Sequence, residues 1–140
     1  NKGESMNAPK SDYALIKLVS SSYEETIAAI REALATQGFG ILTEIDVSAT
    51  LKKKLDADFP RTIILGACNP TLAHRALTAV PDISVLLPCN VVVRETDEGS
   101  VEVAALKPTL MQNIITDSAE LESVAKEAEQ RVLTAMDTLS

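Results

Sequence analysis

Residues Arg61–Leu77 read RTIILGACNPTLAHRAL. The segment Arg61–Ala67 is a short apolar run, the pattern of a buried strand. Cys68-Asn69-Pro70 then changes the local grammar. Asn is a favoured helix N-cap and Pro is favoured at the first helical position. The junction therefore predicts a strand ending near Cys68 and a helix starting at Pro70. Leu72, Ala73, Ala76, Leu77 and Val80 fall on its inner side, and Pro81 stops it.

Downstream, Ile83–Leu87 is apolar and reads as extended or irregular. Pro88 has no N–H to give to a ladder, so it marks an edge, a bulge or the start of a strand. Asn90–Glu95 (NVVVRE) and Val101–Leu106 (VEVAAL) flank the Gly-containing loop 96–100 and form a hairpin. Pro108–Thr116 reads as a connector. Asp117 and Glu120 have the spacing of a capping box. Leu121, Val124, Ala128, Val132, Ala135 and Leu139 then give a final amphipathic helix.

Upstream, Ala14–Ser20 (ALIKLVS) reads as a first strand. Ser22 and Glu25 form a capping box, and Tyr23, Ile27, Ile30 and Leu34 make one apolar stripe ahead of Gly38. That predicts a helix over 23–37. Phe39–Ile45 (FGILTEI) reads as a second strand. Asp46 or Ser48 caps a short helix carrying Leu51 and Leu55, with Lys52, Lys53 and Lys54 on its solvent face. The predicted order is β-α-β-α(short)-β-α-β-β-α. It describes an α+β fold, a mostly antiparallel sheet with helices on one face. The polar start predicts a disordered N-terminal segment over 1–12 and a single domain over 13–140.

A chain of 140 residues is long enough to fold around one core without disulfides or metals. Aromatic residues make up 3% and Trp is absent, so Val, Ile, Leu and Ala must fill that core. The net charge of −7 repels a phosphate backbone, and the lysine run at 52–54 is too short to reverse it. Nucleic acid is not an expected partner. No apolar run approaches the ~20 residues of a bilayer span, so no membrane partner is expected either. Two cysteines are no disulfide framework; they fit reduced thiols and a cytoplasmic location, with one bridge open to an exported form.

The candidate chemistry is sparse. Cys68 precedes a helix start, where exposed N–H groups and the helix dipole favour a thiolate. A small packed residue at a strand end is the plainer alternative. Cys89 follows Pro88 at a strand start, and each cysteine is followed by Asn, as Cys68-Asn69 and Cys89-Asn90. These four residues are the candidate ligand-binding set. His74, the sole histidine, joins Cys68 and Cys89 as a soft-ligand trio for zinc or copper, against the alternative of a solvent-facing side chain. Met111 is a further soft donor or a core filler. Other templates fail: Gly66 stands alone in its stretch, and HExxH and GxSxG are both missing.

The segments ILGACNP (64–70), AHRAL (73–77) and LLPCNVVV (86–93) closely resemble the bacterial and archaeal family catalogued as domain of unknown function 302. The likeness runs through nearly the whole chain from Tyr13. It implies a small α+β fold grouped with TATA-box-binding-protein-like architectures, often dimeric. It implies no activity, and fold grouping alone says nothing of DNA binding. The family's motif falls on Cys68, Asn69, Pro70, Pro88, Cys89 and Asn90.

Three functions follow as expectations. The first is a binding or sensing module that takes a small ligand, haem or soft metal at a rim made by Cys68 and Cys89. The second is a thiol-dependent redox or transfer enzyme, which the missing CxxC disfavours. The third is a structural module that forms a homodimer through an apolar face.

Overall fold

The computed structural model describes residues 11–140, so most of the segment expected to be disordered lies outside the described residues. The first strand, β1, spans Ala14–Val19. Helix α1 spans Tyr23–Thr36 and starts on the predicted capping box, with Ser22 Oγ accepting from Glu25 N and Glu25 accepting from Ser22 N. Strand β2 (Gly40–Asp46) leads into the short helix α2 (Val47–Leu55), capped by Asp46. Strand β3 (Thr62–Cys68) passes through Asn69 into α3 (Pro70–Ala79). The stretch read as irregular is a 3-10 helix over Pro81–Leu86. It ends at the cis Leu87–Pro88 bond, and β4 (Cys89–Glu95) follows at once. β5 spans Val101–Leu106. The expected connector is in part a short helix, α4 (Thr109–Ile114). The last helix, α5 (Ala119–Asp137), is capped by Ser118 rather than by Asp117.

The five strands form one sheet in the order β1-β5-β4-β3-β2, and every neighbouring pair is antiparallel. Strand alternation sends Leu15, Val19, Ile63, Leu65, Ala67, Val91, Val93, Val103 and Ala105 to one face. There they meet Ile30 and Leu34 of α1 and Val132, Ala135 and Met136 of α5. Full burial of each large side chain in this layer contributes about 1.5–3 kcal/mol.

A second, smaller cluster lies apart from that core. Leu72 and Ala76 of α3, Ile83 of the 3-10 helix, Met111 of α4, and Leu121 and Val124 of α5 build it. Helix α5 thus serves both clusters. The seam between them falls where β3 ends and β4 begins.

Candidate functional site

At that seam lies a partly open recess of about 60 Å³. Its sheet wall is Ala67 and Cys89, the end of β3 at Cys68 borders it, and Leu72, Ala73 and Ala76 of α3 also line it. Met111 and Val124 of the second cluster close the far side. The lining is almost wholly apolar, with Asn69 as its main polar side chain.

Local chemistry explains the shape of this corner. Asn69 Oδ1 accepts a hydrogen bond from Leu72 N at 3.2 Å, which caps α3. Asn69 Nδ2 donates to Gln37 O at 3.3 Å, which ties that cap to the end of α1. Arg131 Nη1 donates to the same carbonyl at 3.4 Å. Gly38 takes φ of +84°, and a Cβ there would stand 3.0 Å from Asn69 Nδ2. Both the backbone and the close approach require glycine at that position.

The two cysteines differ in environment. β4 sets Cys89 directly across from Ala67, while Cys68 is paired with Gly40 on β2. Side chains alternate along a strand, so Cys89 shares the helix-covered face with Ala67, and Cys68 turns to the opposite face. Both residues are half-buried and neither is bridged. The Cys89 thiol packs among apolar neighbours and donates weakly to Leu106 O at 3.9 Å. Burial pushes it up to about 12 and holds it neutral.

The remaining candidates fall elsewhere. Asn90 is exposed, and it pairs with Gly66 on the face that no helix covers. His74 is exposed on α3, on the side away from Leu72 and Ala76. Among the described residues, no three His, Cys, Asp or Glu side chains come together as a metal site requires. The trio Cys68, His74 and Cys89 is therefore not assembled. Strand alternation separates the thiols, and helix periodicity turns the imidazole outward. Met111 is buried in the second cluster as a packing residue.

Sequence reasoning missed the far wall of the recess. Ala73 and Ala76 of α3 were visible as an inner stripe, yet nothing local indicated that Met111 and Val124 would stand opposite them. It also missed Arg61, whose guanidinium lies 4.5 Å from the Tyr23 ring centroid. Arg61 also pairs with Glu24 and with Glu95. Those ion pairs hold both carboxyl groups below the usual carboxylate range. This exposed cluster links β3, α1 and β4 and leaves no free cationic group. Among the described residues, no helix is long and apolar enough to cross a membrane.

Comparison with known proteins matches the fold and supplies no activity. The family described as "Domain of unknown function DUF302" matches residues 16–139. An uncharacterized protein of Aquifex aeolicus is 27% identical over 97 residues, 69% of this chain. The chain spans 61% of that relative's length. The crystal structure of an uncharacterized conserved DUF302 protein from Bacillus stearothermophilus superposes with a TM-score of 0.85 at 30% identity. That match covers 93% of this chain and 100% of the other.

Proposed function

The chain belongs to the DUF302 family, and on that premise we propose that it is a binding module for a short apolar group, held in the recess between β3, β4, α3 and α5. The observation that supports this is an apolar recess at the seam of two separately packed clusters, bordered by Cys68, Asn69 and Cys89. Apolar pockets with few polar groups are the usual form of small-molecule sites.

Size narrows the ligand. A cavity of roughly 150 Å³ admits benzene. The recess here is about 60 Å³, which suits an alkyl segment of a few carbons and is too small for haem. The neutral Cys89 thiol acts as a soft, polarisable part of the wall. A thiol enzyme or a soft-metal site would instead need that sulfur as thiolate. Asn69, tied to two helices, fixes the lip. Two unbridged thiols fit a cytoplasmic setting.

Methyl NMR tests the reading with n-butanol as probe. The methyls of Leu72, Met111 and Val124 should shift saturably while those of Leu42 and Leu55 stay still. Ala73→Leu, which adds bulk to the lining, should abolish the shifts. Uniform, non-saturating shifts, or shifts that survive Ala73→Leu, would remove this function.

A further inference from the structure

Between Gly40 and Arg61 no residue is buried, although β2 and α2 are both regular there. A nine-residue helix is marginal on its own and normally draws its stability from a buried apolar face. Helix α2 has the face and lacks the burial. Val47, Leu51 and Leu55 recur every fourth residue and form one stripe, yet Leu55 is 70% exposed. Polar ties hold the helix instead: Asp46 Oδ1 accepts from Ala49 N, and Ser48 Oγ accepts from Thr62 N. Of the seven large apolar side chains exposed among the described residues, four belong to this stretch: Leu42, Ile45, Leu55 and Phe59. Apolar exposure concentrated in one strand–helix unit marks an interaction surface. Strand β2 also ends the sheet order and pairs with β3 alone among the described strands. Its outer edge carries backbone N–H and C=O groups without a ladder partner. Asp46 closes β2 and caps α2, so the open edge runs directly into the helix.

We propose that this unit docks an extended segment of another protein, one that is apolar along its length and bears carboxylates at its amino end. The segment adds antiparallel to β2 as a further strand, and its amino end reaches α2. Backbone chemistry and charge both select that occupant. A free strand edge is completed by the N–H and C=O groups of a polypeptide, the mode of strand addition. The charge on offer is positive: Lys53 and Lys54 are exposed on α2 and form no ion pair among the described residues. Lys52 is already neutralised by Asp56 and Asp58, each at 3.1 Å. Glu44 of β2 is matched by Arg31 of α1, so it does not oppose an acidic visitor. An anionic lipid surface fits worse. It would face the whole molecule, whose net charge is −7. A peptide end meets only the charges within the screening length of about 8 Å, where the two lysines stand. This inference does not rest on the recess.

NMR titration of the isotope-labelled chain with the capped peptide DDGVTVTV tests it, beside the neutral counterpart NNGVTVTV. The acidic peptide should give saturable amide shifts along β2 and α2, with cross-strand contacts to β2. The neutral peptide should bind roughly 10-fold more weakly, through loss of its charge pairs. Lys53→Glu combined with Lys54→Glu should abolish the preference for acid. Leu55→Ser combined with Phe59→Ser should weaken both peptides by roughly 10-fold, through loss of apolar contact. Lys126→Glu, on α5, should change nothing. Absence of saturable shifts overturns the proposal, as does equal binding of the two peptides by the wild type. Shifts along β1, the other edge of the sheet, in place of β2 overturn it too. Failure to bind either peptide, with binding to phosphatidylserine vesicles that the lysine variant loses, would assign the surface to lipid and overturn it. Sedimentation of the chain alone at twice its mass, lost in the serine variant, would assign it to a second copy and overturn it equally. Should the serine variant fail to fold, the two peptides and the lysine variant decide.

Discussion

Cys89 stands across the β3–β4 ladder from Ala67, one residue short of Cys68. A slip of one position would set the two thiols side by side. The actual register sends them to opposite faces of the sheet. A disulfide needs two Cβ atoms about 3.8 Å apart and aimed at one another. Diamide treatment of the folded monomer should therefore yield no internal bridge. Mass spectrometry after trapping should find both thiols free or bridged between molecules. An internal Cys68–Cys89 bridge would contradict the register.

The Cys89 thiol should behave as a buried, neutral group. Its value rises from the ordinary 9.0 to about 12. The unfolded chain ionises first on alkalinisation, so the contribution to stability is fully present below pH 9 and is lost between pH 9 and about 12. Urea midpoints measured against pH should fall more steeply in that window for the wild type than for Cys89→Ala. Parallel curves would show that the sulfur is solvated. In Cys68→Ser, iodoacetamide should label the remaining thiol only slowly near neutrality.

Gly66 admits no side chain. A Cβ there would collide with Thr43 Oγ1 and come within 3.0 Å of Pro88 Cγ. Gly66→Ala should cost about 1–3 kcal/mol through overpacking. Thr43→Ala removes the nearer obstacle, so the same substitution in that background should cost less. Equal costs in both backgrounds, measured by chemical denaturation, would place the clash elsewhere.

Asn69 holds two helices through two different atoms. Asn69→Ala removes the cap and the tie to Gln37, and should cost about 1–2 kcal/mol. Asn69→Asp keeps an acceptor for Leu72 N but has no donor for Gln37 O. Its loss should fall between wild type and Asn69→Ala. A destabilisation by Asp as large as that by Ala would show that the tie to α1 outweighs the cap.

The sequence disclosed the elements well and their surroundings poorly. The Ser22–Glu25 box, the Asn69-Pro70 helix start and the loop after Glu95 are local signals, each readable within a few residues. Their outcome matches the α+β fold, with every strand pair antiparallel. Pro88 was ambiguous, because a proline just ahead of an interior strand looks in sequence like one on an edge strand. The 3-10 helix and α4 are too short for periodicity to announce them. Cys68 and Cys89 were both placed correctly at element ends, but the face each occupies depends on pairing register, which one sequence does not encode locally. The recess needs residues from β3, α3, α4 and α5 at once, so its existence is a property of packing alone.

Crystals of the wild-type chain under xenon pressure test the central claim most directly. Xenon enters apolar cavities through dispersion and needs no hydrogen bond. A peak of xenon density bounded by Leu72, Cys89 and Met111 is expected, and it should vanish in Ala73→Leu. Xenon bound elsewhere in the crystal, with none at this seam, would contradict the account.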